Sequence, residues 1–134
     1  MNEIADFLRA RYAEARELAL TASPGPWHAN AEHDEVVAAD GITVADGFAL
    51  SGRQLRATVD HIAANDPADV LADLDAKLRM VDLLEYQLGW NADHDRDVTE
   101  HEIRTMQSAA REAFRILTQP FAGHPDHKGE EWAP

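Results

Sequence analysis

Apolar residues recur at three- and four-residue steps near the start of the chain: Ile4, Phe7, Leu8, Ala15, Leu18 and Ala19. At 3.6 residues per turn this spacing gathers them on one face and predicts an amphipathic helix within residues 1–20, spanning 2–20. Asn2 is its candidate N-cap, and Arg9, Arg11, Glu14, Arg16 and Glu17 fall on the side assigned to water. Ser23-Pro24-Gly25-Pro26 ends it, because neither proline can donate a helical hydrogen bond. From Trp27 to Asp46 the pattern shortens to three candidate strands, 27–29, 36–39 and 42–45, predicting a small antiparallel β meander over 27–46. Asp40-Gly41 between the last two predicts a two-residue primed turn.

Helical spacing returns at 53–64 through Leu55, Val59 and Ile62. Asn65-Asp66-Pro67 interrupts it and starts the next helix, with Asp66 as N-cap and Pro67 in the first helical position. Leu71, Leu74, Leu78, Val81, Leu84 and Leu88 then form one apolar stripe along a spine helix at 67–88, roughly 33 Å long at ~1.5 Å per residue. Thr99 and Glu102 stand in capping-box spacing before a last helix at 99–117, whose inner stripe is Ile103, Met106, Ala110, Phe114 and Leu117. Residues 118–134, rich in Pro and His, predict an extended tail in which Trp132 docks on the body. The economical sum is one α+β domain over residues 1–134.

The chain has 134 residues, no cysteine and a formal net charge of −13. Without cysteine there are no disulfides, no iron–sulfur ligation and no thiol catalysis. No apolar run is long enough to cross a membrane, and the acidic, quickly amphipathic start does not fit a secretory signal, so a cytoplasmic setting is expected. The charge is uneven: residues 32–75 hold ten acids against Arg53 and Arg56. That argues against direct contact with nucleic acid or an anionic membrane, since phosphate repels it; the plain reading is a solvated acidic surface, and the sharper one is a face that mimics DNA or binds a basic protein partner. Arg104, Arg111 and Arg115 form a basic stripe on the last helix that could neutralise Asp69 and Asp73 on the spine. Glu32, Asp34 and Glu35 are then left as an exposed, partner-binding acidic cluster.

Metal chemistry has thin support. His101-Glu102 opens like a zinc-protease helix, but position 105 is threonine where the second histidine belongs. Asp93 to Asp97 opens like a calcium loop, but Val98 replaces the required glycine and Arg104 the bidentate glutamate. His94, Asp97 and His101 remain the best metal candidates, ahead of the tail pair His124 and His127. No serine sits in a nucleophile elbow and no glycine loop could cradle phosphate, so no catalytic residue and no cofactor is assigned.

Three segments taken together resemble a known family. They are Asp6-Phe7-Leu8-Arg9-Ala10-Arg11 leading to Ser23-Pro24-Gly25-Pro26-Trp27, then His61 to Leu71 around Asn65-Asp66-Pro67, and Leu117 to His127 followed by Glu131-Trp132. They are similar to a family of small actinobacterial and actinophage proteins with no assigned function. The resemblance implies a bacterial or phage source and a cytoplasmic setting, and brings no reaction. Many members carry a cysteine cluster before the tail that looks zinc-binding; this chain has no cysteine, so that role does not carry over. The reading is a non-enzymatic accessory protein acting by protein–protein contact, with a DNA mimic and a small metal-dependent hydrolase as the alternatives.

Overall fold

The computed structural model describes residues 2–91, 93 and 97–134. In chain order it has α1 (Glu3–Thr21), β1 (His28–Ala29), β2 (Glu35–Val37), β3 (Thr43–Asp46), α2 (Gly52–Ala63), α3 (Pro67–Leu88) and α4 (Glu100–Thr118). This is the expected α+β order. The tail departs from expectation: it forms two 3-10 turns, Gln119–Phe121 and Gly129–Trp132, in place of an extended run. Backbone proximity divides the chain into two units, residues 1–13 with 76–134, and residues 14–75. No helix among the described residues is long and apolar enough to cross a membrane.

In the first unit, α1 starts as its sequence dictates, with Asn2 Oδ1 accepting the N–H groups of Ile4 and Ala5. Ala5, Phe7, Leu8, Arg11 and Tyr12 are its buried residues. Arg11 was expected in water and is only 9% exposed. The reason is position: it lies four residues after Phe7 and three after Leu8, on the buried stripe. Its guanidinium is accommodated by His124 Nδ1 at 2.8 Å, by Asp126 at 3.6 Å and by the face of Phe7 at 5.1 Å. Around Phe7 the tail closes edge-on, with Phe121, His124, His127 and Trp132 at centroid distances of 5.0–6.1 Å. Trp132 is 5% exposed, so it docks as expected. Such ring pairs add to the burial of the apolar area itself.

The capping box on α4 is complete: Thr99 Oγ1 accepts from the Glu102 N–H, and the Glu102 carboxylate accepts from the Thr99 N–H and O–H. Ile103, Ala110 and Phe114 are buried beneath it. On α3, Val81 and Leu84 are buried, Leu78 is half-buried, and Met80, Leu83 and Tyr86 are exposed. The predicted stripe is thus covered along its length, with Leu74, Val81 and Leu84 buried and Leu71, Leu78 and Leu88 half-buried, and the exposed apolar residues lie off it. Two acids of the spine's second half pair with α1. Arg9 on α1 binds Asp82 at 2.8 Å and Glu85 at 2.6 Å, and this guanidinium holds the Glu85 carboxyl below its usual range. Arg104 and Arg115 instead pair within α4, with Glu100 at 3.0 Å and Glu112 at 3.9 Å. Arginines three or four residues from an acid on one helix meet it first.

In the second unit, Asp66 is the anchor. It is 5% exposed, and its carboxylate accepts the N–H groups of Asp69 at 2.8 Å and Trp27 at 3.1 Å. The Asp69 bond, followed by those from Trp27 and Ala68, holds its carboxyl below the usual range against the opposing effect of burial. One side chain thus caps α3 and fixes the Pro24–Trp27 segment. Gly25 is needed there for space, since a Cβ would lie 3.2 Å from the Asp66 carboxylate. Trp27 is half-buried, and its Nε1 donates to the Ser23 carbonyl.

The sheet has order β1-β2-β3 and is antiparallel throughout. Val36 pairs with Ala29 on one side and Ala45 on the other, and is fully buried; α2 lies against β1 and β2. A register shift after Val36 leaves Val44 as the extra residue on β3. The β2–β3 turn is not the expected two-residue one. Gly41 N–H donates to Ala38 O and Ala38 N–H to Ile42 O, with Gly41 alone in the left-handed region at φ 82°. Asp40 keeps negative φ and uses its carboxylate to accept the Ile42 N–H, which makes a three-residue loop with glycine at its left-handed position.

Candidate functional site

The acidic corner is built by the β1–β2 connection. Asn30 holds it from inside: its Oδ1 accepts the N–H groups of Asp34 and Glu35, and its Nδ2 donates to the Asp34 carboxylate at 2.5 Å. The turn then passes through His33 at φ 54°, a left-handed conformation that non-glycine residues seldom adopt. His33 Nδ1 meets Asp60 on α2 at 2.8 Å. Asp34 O accepts the Gly47 N–H, and the Glu35 carboxylate accepts the Thr43 hydroxyl at 3.4 Å. Of the three expected exposed acids, Glu32 alone is exposed; Asp34 and Glu35 are half-buried because the turn uses their side chains. Glu35 also stands directly opposite Asp46 across the β2–β3 ladder, where like charges repel.

The corner lies in a unit with little positive charge to offset it. Residues 14–75 hold twelve acids and three bases, a net of −9. Among the described residues, Arg16, Arg53 and Arg56 make no ion pair. Two large apolar side chains stand out in water beside β3: Ile42 at 61% exposure and Phe48 at 90%.

Of the metal candidates, His94 lies outside the described residues. Asp97 and His101 are both exposed, and among the described residues no group of three His, Asp or Glu side chains could share an ion. The tail pair serves the fold. His124 Nδ1 accepts the Asp126 N–H and His127 Nδ1 accepts the Gly129 N–H, while His127 Nε2 meets the Thr118 hydroxyl at 3.2 Å. Sequence spacing alone did not separate a pair of ligands from a pair of turn acceptors. It also missed Asn30 and His33, whose roles depend on hydrogen bonds that composition does not signal; Asn30 four residues before Asp34 was the one available cue.

The fold defines a small α+β protein with an acidic, backbone-clasped corner. The chain belongs to a family of unknown function, DUF6221, whose model matches residues 1–134. No curated protein matches the chain, and no solved structure does.

Proposed function

We propose that this is a non-enzymatic binding protein that engages a basic protein partner through the corner formed by Glu32, Asp34 and Glu35. The observation that carries this reading is the net charge of −9 on residues 14–75, whose arginines leave the corner's carboxylates without a cationic partner. A rigid turn that presents charge loses little freedom on binding, and a concentrated negative field speeds encounter with a positive surface. Phe48 and Ile42 supply apolar anchors at the two ends of β3. An accessory role in the cytoplasm of an actinobacterium or its phage belongs to the same proposal.

The test is recovery of partners from an actinobacterial lysate at low and physiological salt, with the wild type and the variant Glu32→Lys, Asp34→Lys, Glu35→Lys. A basic partner that the wild type recovers, that salt weakens and that the variant loses supports the reading. Equal recovery by the variant overturns it. Displacement of that partner by duplex DNA would favour the DNA-mimic form of the same interaction.

A further inference from the structure

A separate site lies in the first unit. The start of α1, the middle of α4 and the second tail turn enclose an open cleft of about 400 Å³, within the size range of small-ligand sites. Its apolar side is Ile4, Phe114 and Trp132, the last two 1% and 5% exposed and therefore held rigidly. Arg111 and Arg115 line it one turn apart on α4. Arg111 makes no ion pair among the described residues, and the carboxylate nearest Arg115 is Glu112 at 3.9 Å. Glu3, also at the cleft, is taken by Lys128 at 2.7 Å, which leaves Glu131 as the lining acid without a hydrogen bond to a cation.

We propose that this cleft binds an amphipathic monoanion: an apolar body ending in a single carboxylate. The apolar body would lie on Ile4 and the edge of Trp132, backed by Phe114, and the oxyanion would bridge Arg111 and Arg115. Guanidinium is the group suited to this, since its planar fork donates two parallel bonds to a carboxylate. A polyphosphate does not fit the balance of charge. Glu112 and Glu131 flank the two arginines, and the chain's net charge of −13 repels further negative groups. The proposal is independent of the acidic corner.

The probe is 1-naphthoate, titrated into the full chain and followed by backbone and indole NMR shifts, with neutral 1-naphthamide as its control. Saturable shifts at Ile4, Phe114 and the Trp132 indole are expected, with naphthamide weaker by about tenfold. Arg111→Gln with Arg115→Gln should bring naphthoate down to the naphthamide level. Glu131→Gln, which leaves the arginines in place, should tighten binding about twofold. Equal binding of acid and amide, no effect of the arginine pair in a variant that keeps its wild-type spectrum, weaker binding by the Glu131 variant, or no shift at millimolar probe would each overturn the proposal. A short peptide with a free C-terminal phenylalanine, compared with its amide, separates the two sources of such an anion. Tighter binding of the free-acid peptide than of naphthoate assigns the cleft to a partner chain's C-terminus, and the reverse order assigns it to a small acid.

Discussion

The two units treat charge in opposite ways. Residues 1–13 and 76–134 hold thirteen acids and nine bases, and their arginines and Lys128 are distributed so that Asp6, Asp82, Glu85, Glu100, Glu112, Asp126 and Glu3 all lie within ion-pair distance of a cation. Residues 14–75 hold twelve acids and three bases, and anchor their key acids through uncharged donors: Asp66 to backbone N–H groups, Asp34 to Asn30, Glu35 to Thr43. In the first unit these seven carboxylates are offset by a nearby cation, while Glu102 is held by the Thr99 N–H and O–H. In the second the anchored carboxylates are positioned and left negative. Each of these anchors also serves the fold, Asp66 by capping α3 and Asp34 by closing the β1–β2 turn.

The largest expected effect that would break this contrast is in the first unit's core. Phe114 is 1% exposed, and Phe114→Ala should lower stability by about 3–5 kcal/mol in a denaturant titration. A loss below about 1 kcal/mol would mean that this core does not hold the unit together.

The next is Asp66→Asn, expected to remove about 1–3 kcal/mol at neutral pH, because a charged acceptor for several backbone donors becomes a neutral one. The folded carboxyl lies below its ordinary value, so its contribution is fully present above about pH 4 and is lost as pH falls through the folded value. The gap between wild type and variant should therefore narrow in acid. A gap that widens there would reverse the assigned sign.

The smallest effect sharpens the comparison itself. Raising salt from low to physiological strength should screen the like charges of residues 14–75 and slow amide exchange there by about 0.3–0.5 kcal/mol. The ion-paired unit should gain nothing or lose slightly. Equal responses would erase the distinction.

Legibility in the sequence followed the range of the forces. Asn2, Asp66 and Thr99 were readable as caps because a cap acts within three residues of itself. The docking of Trp132 was readable because an aromatic ring among Pro120, Phe121 and the tail histidines has much area to bury. Arg11 was not, since its charge outweighed its place on the stripe until His124 Nδ1, more than a hundred residues away, supplied an acceptor. Nor was the pairing of Arg9 with Asp82 and Glu85 legible, since it joins residues more than seventy positions apart, whereas Arg104 and Arg115, read as partners of Asp69 and Asp73, meet Glu100 and Glu112 on their own helix. In the corner, charge was legible but exposure was not, because Asn30 draws Asp34 inward.

His33 sets a rule for how this corner can drift in evolution. Its backbone is left-handed, which asparagine, aspartate and glycine accept readily and β-branched residues do not. Its imidazole meets Asp60 on α2 at 2.8 Å, on the exposed side of the turn. A lineage can therefore exchange the ring for Asn or Gly and keep the path of the chain, losing one tether. A change to Val, Ile or Thr would force the turn open and carry Glu32 and Asp34 with it. The handedness of one residue, more than the identity of the acids around it, decides whether descendants of this sequence still present the same surface.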